Sequence, residues 1–119
     1  MVRKIILLLL ITLPAFGATE LTLKEGNRVA KLKQVKNYWL SSNCKKCEAQ
    51  KIFDGLNAKR AKEAMNKTAD TRIAPGTRIC NGLNGMVWAL KDENGQTQTI
   101  CEFKDKSYVL TNDLAGLLP

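Results

Sequence analysis

The stretch from Pro75 to Leu110 sets the tightest limits on how this chain can fold. It reads Pro75-Gly76-Thr77-Arg78-Ile79-Cys80, then Asn84-Gly85, then two apolar runs parted by Asp92-Glu93-Asn94-Gly95, then Cys101-Glu102-Phe103-Lys104-Asp105-Lys106-Ser107. Pro75 suits the first turn of a helix, where a missing amide costs nothing. Ile79, Cys80 and Leu83 then face inward, and Asn84-Gly85 ends the helix because both residue types tolerate a left-handed backbone. Met86 to Leu90 predicts a strand, Asp92 to Gly95 a turn, Gln96 to Phe103 a second strand, Lys104 to Ser107 a turn, and Tyr108 to Leu110 a third strand. The expectation is one short helix feeding an antiparallel meander, with a cysteine on each.

What the cysteines do depends on the compartment. Residues 1–17 combine a cationic start (Arg3, Lys4), an apolar run from Ile5 to Leu13, the helix breaker Pro14, and small residues Ala15 and Gly17 around Phe16. This is the layout of a secretory signal peptide, and the run is too short to span a bilayer as a helix. Cleavage after Gly17 leaves residues 18–119, enough for one small domain with a modest core. No second long apolar stretch follows, so no transmembrane segment is expected after cleavage. The expected location is periplasmic or secreted, where four cysteines favour disulfides.

Charge is uneven along the chain. Without Arg3 and Lys4 there are 17 Lys and Arg against 11 Asp and Glu, a net +6, and the excess lies between Lys24 and Arg78, with 14 basic and 5 acidic residues. From Ile79 onward there are 3 basic and 5 acidic. A basic half on an exported protein is drawn to anionic envelope polymers or lipid head groups, while the bland reading is a solvated lysine-rich surface. Export argues against nucleic acid.

The N-terminal part is ambiguous. Leu21-Thr22-Leu23 alternates, Glu25-Gly26-Asn27 signals a turn, and Arg28 to Val35 completes a hairpin; Val29, Leu32, Val35 and Trp39 can equally be placed near one helical face. Tyr38-Trp39-Leu40 reads as core. Ser41, Ser42 or Asn43 can cap a helix beginning near Cys44, with Ala49, Ile52, Phe53 and Leu56 as its apolar stripe. A polar, alanine- and lysine-rich segment from Ala58 to Lys67 resumes it. The apolar tail from Leu114 to Leu118 is expected to pack back onto the core.

The spaced set Pro75-Gly76-Thr77-x-x-Cys80, Asn84-Gly85, Gly95 and Cys101-x-Phe103-x-Asp105-x-Ser107 resembles a family of small exported bacterial domains. Its usual pattern is Asn-Pro-Ala-Ser-x-x-Cys, Gly-Gly, Cys-x-Phe-x-Asp-Gly-Ser. That family is grouped as domains of unknown function, sometimes with a haemolysin label. The likeness covers roughly residues 74–110 and implies an envelope or secreted location and a cysteine-bearing fold; it implies no known reaction. Three positions depart from the pattern. Ala74 replaces the capping asparagine, Asn84 replaces the first glycine, and Lys106 replaces a turn glycine, so that either the turn type differs or a lysine sits strained at positive φ.

The fold class expected from all this is α+β: one small disulfide-stabilised domain with one or two helices packed on a C-terminal antiparallel meander. Cys80 with Cys101 and Cys44 with Cys47 is the favoured pairing; the rival crosses them, tying the first helix to the sheet. Cys44-Lys45-Lys46-Cys47 at a helix start also has the spacing of a thiol redox centre. There is no histidine, which removes the commonest general base, and the second cysteine pair lacks the spacing of a zinc ribbon, so no metal or other cofactor is assigned. Asp92, Glu93, Glu102 and Asp105 read as solvated turn carboxylates rather than a hydrolytic pair. Trp88 with Phe103 or Tyr108 is the candidate contact patch, and no catalytic residue is assigned. The leading expectation is a non-enzymatic exported binding or structural module for an anionic envelope polymer or an envelope protein. A thiol-disulfide oxidoreductase using Cys44 and Cys47, and an inhibitor of a secreted hydrolase, are the alternatives.

Overall fold

Two three-stranded antiparallel meanders join edge to edge into a closed barrel. The computed structural model describes residues 19–119; the expected signal peptide, residues 1–17, lies outside them. The first meander is β1 (Glu20–Glu25), β2 (Arg28–Val35) and β3 (Tyr38–Ser41), and the second is β4 (Met86–Lys91), β5 (Thr97–Glu102) and β6 (Tyr108–Leu110). Around the barrel the order is β1-β2-β3-β6-β5-β4. The two seams are slight: Leu40 pairs with Val109 between β3 and β6, and Lys24 pairs with Lys91 between β1 and β4.

This corrects the expected α+β helix-on-meander fold. The C-terminal meander is present, but it is half of a closed six-stranded wall with four short helices around it. The other half comes from residues 20–41, where strand and helix patterns competed. The period of two prevails there. Ala30 and Leu32 point into the barrel while Lys31 and Lys33 face outward, and the two inward residues pair with Leu23 and Leu21 of β1. Closing the ring also removes the long exposed edges that an open sheet of this size would carry.

Alternation sorts the apolar residues into two cores. Leu23, Ala30, Leu32, Leu90, Ile100 and Leu110 fill the barrel interior, as expected of a bore just wide enough for side chains. Their outward neighbours Tyr38, Leu40, Cys101 and Val109 meet the helices. Tyr38 stacks on Phe53 with ring centroids 3.9 Å apart. Each large side chain fully buried in either core contributes about 1.5–3 kcal/mol.

Four short helices form the outer layer: α1 (Glu48–Gly55), α2 (Ala58–Met65), α3 (Pro75–Gly82) and α4 (Thr111–Ala115). The start expected near Cys44 is corrected to Glu48, and Ser41 is the last residue of β3. None of Ser41, Ser42 or Asn43 caps α1. Its first amides are taken from a distant turn instead: Glu48 N donates to Asp105 Oδ2 (2.8 Å) and Ala49 N to Ser107 Oγ (2.9 Å). Asn57 caps α2 by accepting from Arg60 N at 2.8 Å. Gly82 of α3 lies so close to the Ala64 carbonyl of α2 that any side chain would collide with that backbone. Asn84 ends α3 at φ +65°, in the left-handed conformation expected of it. Leu114 is fully buried, and Leu117 and Leu118 pack against the helix-side core.

Candidate functional site

The barrel interior changes character at the mouth where β1 turns into β2. Inward positions there carry Arg28, Trp88, Glu102 and Tyr108 instead of aliphatic side chains, as the register requires: Glu102 sits between Met86 and Tyr108, and Trp88 is next inward from Met86. Arg28 on β2 reaches Glu102 on β5, on the opposite side of the ring, with Nη2 to Oε2 at 2.6 Å. The second carboxylate oxygen accepts from Trp88 Nε1 at 3.1 Å, and the guanidinium lies 4.1 Å from the centre of the indole ring. Glu102 is buried, so this cation, its hydrogen bond and the indole donor are what make the charge tolerable there. Arg28 Nε is buried and has no partner among the described residues.

Tyr108 finishes the same mouth. Where β3 ends, the phenol joins the edge of β2: it accepts from Lys31 N (2.8 Å) and donates to Lys31 O (3.0 Å), a carbonyl that also accepts from Ser42 N (2.8 Å). Tyr108 N donates to the buried Ser41 Oγ at 3.1 Å.

Outside the mouth runs a groove. A cleft of about 270 Å³ is lined by Met86, Trp88, Glu102, Lys104 and Lys106 among others. Lys106 also borders a second depression of about 320 Å³ with Val29, Lys31, Asn43 and Tyr108. Asn43 and Lys106 both border a third, again about 320 Å³, with Lys45, Lys46, Asp105 and Ser107. Among the described residues, Met86, Val29 and Trp88 are the large apolar side chains left exposed, at 58%, 49% and 37%, and all three border this groove.

Of the residues suggested as a contact patch, Trp88 and Tyr108 share the mouth. Phe103 follows β5 and is buried at 4% exposure in the helix-side core, touching the cleft only as part of its wall. Arg28, which organises the mouth, escaped the sequence reading. The available signal was its position two residues before Ala30 on an inward-facing row, and that row is visible only once residues 20–35 are read as strands.

The disulfides join Cys80 to Cys101 (Cα–Cα 5.7 Å) and Cys44 to Cys47 (Cα–Cα 5.3 Å). The first ties α3 to the outer face of β5, and on the chain-entropy account a loop of that length contributes about 3 kcal/mol. The second fastens the loop entering α1. A redox role for Cys44 and Cys47 would need helix amides free to stabilise a thiolate. Here the amides of Glu48 and Ala49 are already held by Asp105 and Ser107. Cys44, the first of the pair, is buried.

Of the other turn carboxylates, Asp92 and Asp105 are engaged by hydrogen bonds. Asp92 accepts from the amides of Asn94 and Gln96, both at 2.9 Å, inside its own turn, and these bonds hold its carboxyl below the usual range. Asp105 accepts from Glu48 N and Ser107 N and from the Ser107 hydroxyl, which lowers its pKa in the same way. Among the described residues no cluster of three or more Cys, Asp or Glu is placed to hold a metal ion. No helix among them is long and apolar enough to cross a membrane. Comparison with known proteins found no matching family model, curated protein or solved structure.

Proposed function

We propose that this chain is an exported, non-enzymatic binding module of the bacterial envelope whose partner is an anionic surface polymer. The observation that carries the reading is the groove at the barrel mouth. Six cationic side chains line it, Arg28, Lys31, Lys45, Lys46, Lys104 and Lys106, against two carboxylates, Glu102 and Asp105, each already engaged by hydrogen bonds. An excess of positive charge beside exposed Trp88 and Met86 suits a ligand with acidic groups and some apolar surface. The leader-like N-terminus, the two disulfides and the resemblance of residues 74–110 to small exported domains all favour the envelope. Catalysis is disfavoured because the two carboxylates at the groove, Glu102 and Asp105, are committed to structural hydrogen bonds and the chain has no histidine.

Titration with alginate and with phosphatidylglycerol vesicles tests the reading. Affinity for an anionic partner should fall by about tenfold or more between low and physiological ionic strength, as counter-charges are screened. Salt-independent binding, or none to either probe, would remove the anionic partner. Measurable insulin reduction by the protein would restore the oxidoreductase alternative.

A further inference from the structure

Two lysines at the groove occupy backbone positions where an asparagine or glycine is at home. Lys46 has φ +53° and Lys106 has φ +73°, the left-handed region that L side chains avoid. Both border the same depression, together with Asn43 and Lys45. Neither has an ion-pair partner among the described residues. Asp105, the carboxylate in that depression, keeps its negative charge while it accepts from two backbone amides and the Ser107 hydroxyl, and Lys45, Lys46 and Lys106 still leave the depression with an excess of positive charge. A third such lysine, Lys36 at φ +55°, sits in the turn between β2 and β3, at the far end of β2 from Arg28. Backbone strain that persists at two sites converging on one cleft is the pattern of a functional site, where a charged side chain is retained despite its cost.

We propose that the depression between Lys46 and Lys106 anchors one acidic group of a linear polysaccharide, whose chain then runs past Lys31 and Tyr108 to Trp88. This rests on the anionic-partner reading and adds the anchoring point and the class of polymer. A linear chain fits because the three depressions adjoin, Lys106 bordering all three and Asn43 two of them, so that one extended ligand can contact them together. Trp88, in the depression it shares with Met86, offers an exposed aromatic surface on which a sugar ring can pack.

The test uses the disulfide-intact protein and three variants, Lys46→Asn, Lys106→Asn and Lys36→Asn, each removing one charge and supplying a residue that tolerates the left-handed backbone. Alginate oligomers, a linear polyuronate, are titrated by calorimetry, and thermal unfolding is followed for every variant. Lys46→Asn and Lys106→Asn should each weaken binding about three- to tenfold, with Tm held or raised, a loss typical of one well-placed charge contact. Lys36→Asn should hold or raise Tm and leave affinity unchanged. Equal losses at all three positions, no loss at Lys46 and Lys106, or a fall in Tm showing that these lysines are kept for packing would each overturn the anchoring site while the anionic reading stands. Binding to phosphatidylglycerol vesicles but not to alginate would overturn the polysaccharide; binding to neither would remove both proposals.

Discussion

Arg28 and Glu102 show how one pair of side chains can decide what a barrel mouth is. A buried carboxylate is costly unless it is paired and hydrogen-bonded, and Glu102 has both oxygens satisfied, one by Arg28 and one by Trp88. Arg28→Ala would leave that carboxylate unpaired and should destabilise the protein by about 1–3 kcal/mol in urea unfolding, the lower part of the range because Arg28 is itself one-third exposed. Adding Glu102→Gln to that variant should recover much of the loss. If the double variant is no better than Arg28→Ala, packing and not charge holds the mouth. Gly85 is constrained as tightly from another direction. A Cβ there would sit 2.8 Å from Cys80 Sγ and still nearer Cys101 Sγ, so only glycine lets the chain pass the disulfide.

The elements depend on one another for their ends. Helix α1 has no cap of its own, and Cys47 at its N-cap position makes no side-chain hydrogen bond. The turn before β6 supplies what is missing, with Asp105 on Glu48 N and Ser107 on Ala49 N. Ser107→Ala should therefore cost about 1 kcal/mol and speed amide exchange of Ala49, although the substitution is 58 residues away in sequence. Asp105 adds a pH dependence of known sign. Chiefly the Glu48 amide, then the Ser107 hydroxyl, depress its pKa in the fold, so its stabilisation is full above the ordinary carboxylate range. That stabilisation fades as pH falls through the lowered value. Urea midpoints measured from about pH 6 down to pH 2 should thus drop less steeply for Asp105→Asn than for the parent. An unchanged acid limb would show that the Asp105 cap contributes nothing as an ion. Lys106, between these two capping residues, has the positive φ that its place in a glycine position foreshadowed.

At the scale of the molecule the barrel is unevenly closed. Strand β5 is paired along one side with β4 and along the other with β6, while β4 meets β1 only at Lys91 and Lys24. Native-state hydrogen exchange should reflect this, with seam-facing amides of Met86–Leu90 exchanging well before those of Ile100 and Cys101. Uniform protection around the ring would mean the seam is stronger than its single pairing implies.

The sequence alone determined the local pieces. Proline, asparagine and glycine fix where α3 begins and ends, and Asp92 to Gly95 and Lys104 to Ser107 divide the C-terminal strands, because turn chemistry acts over a few residues. The apolar stripe of α1 was legible for the same reason: helical periodicity is local. Only the tertiary structure decided that residues 20–41 are wall and not helix, that Asp105 and Ser107 cap α1, and that Arg28 crosses the mouth to Glu102. Each of these joins residues far apart in the chain, and their free energy comes from contacts that no stretch of sequence holds by itself.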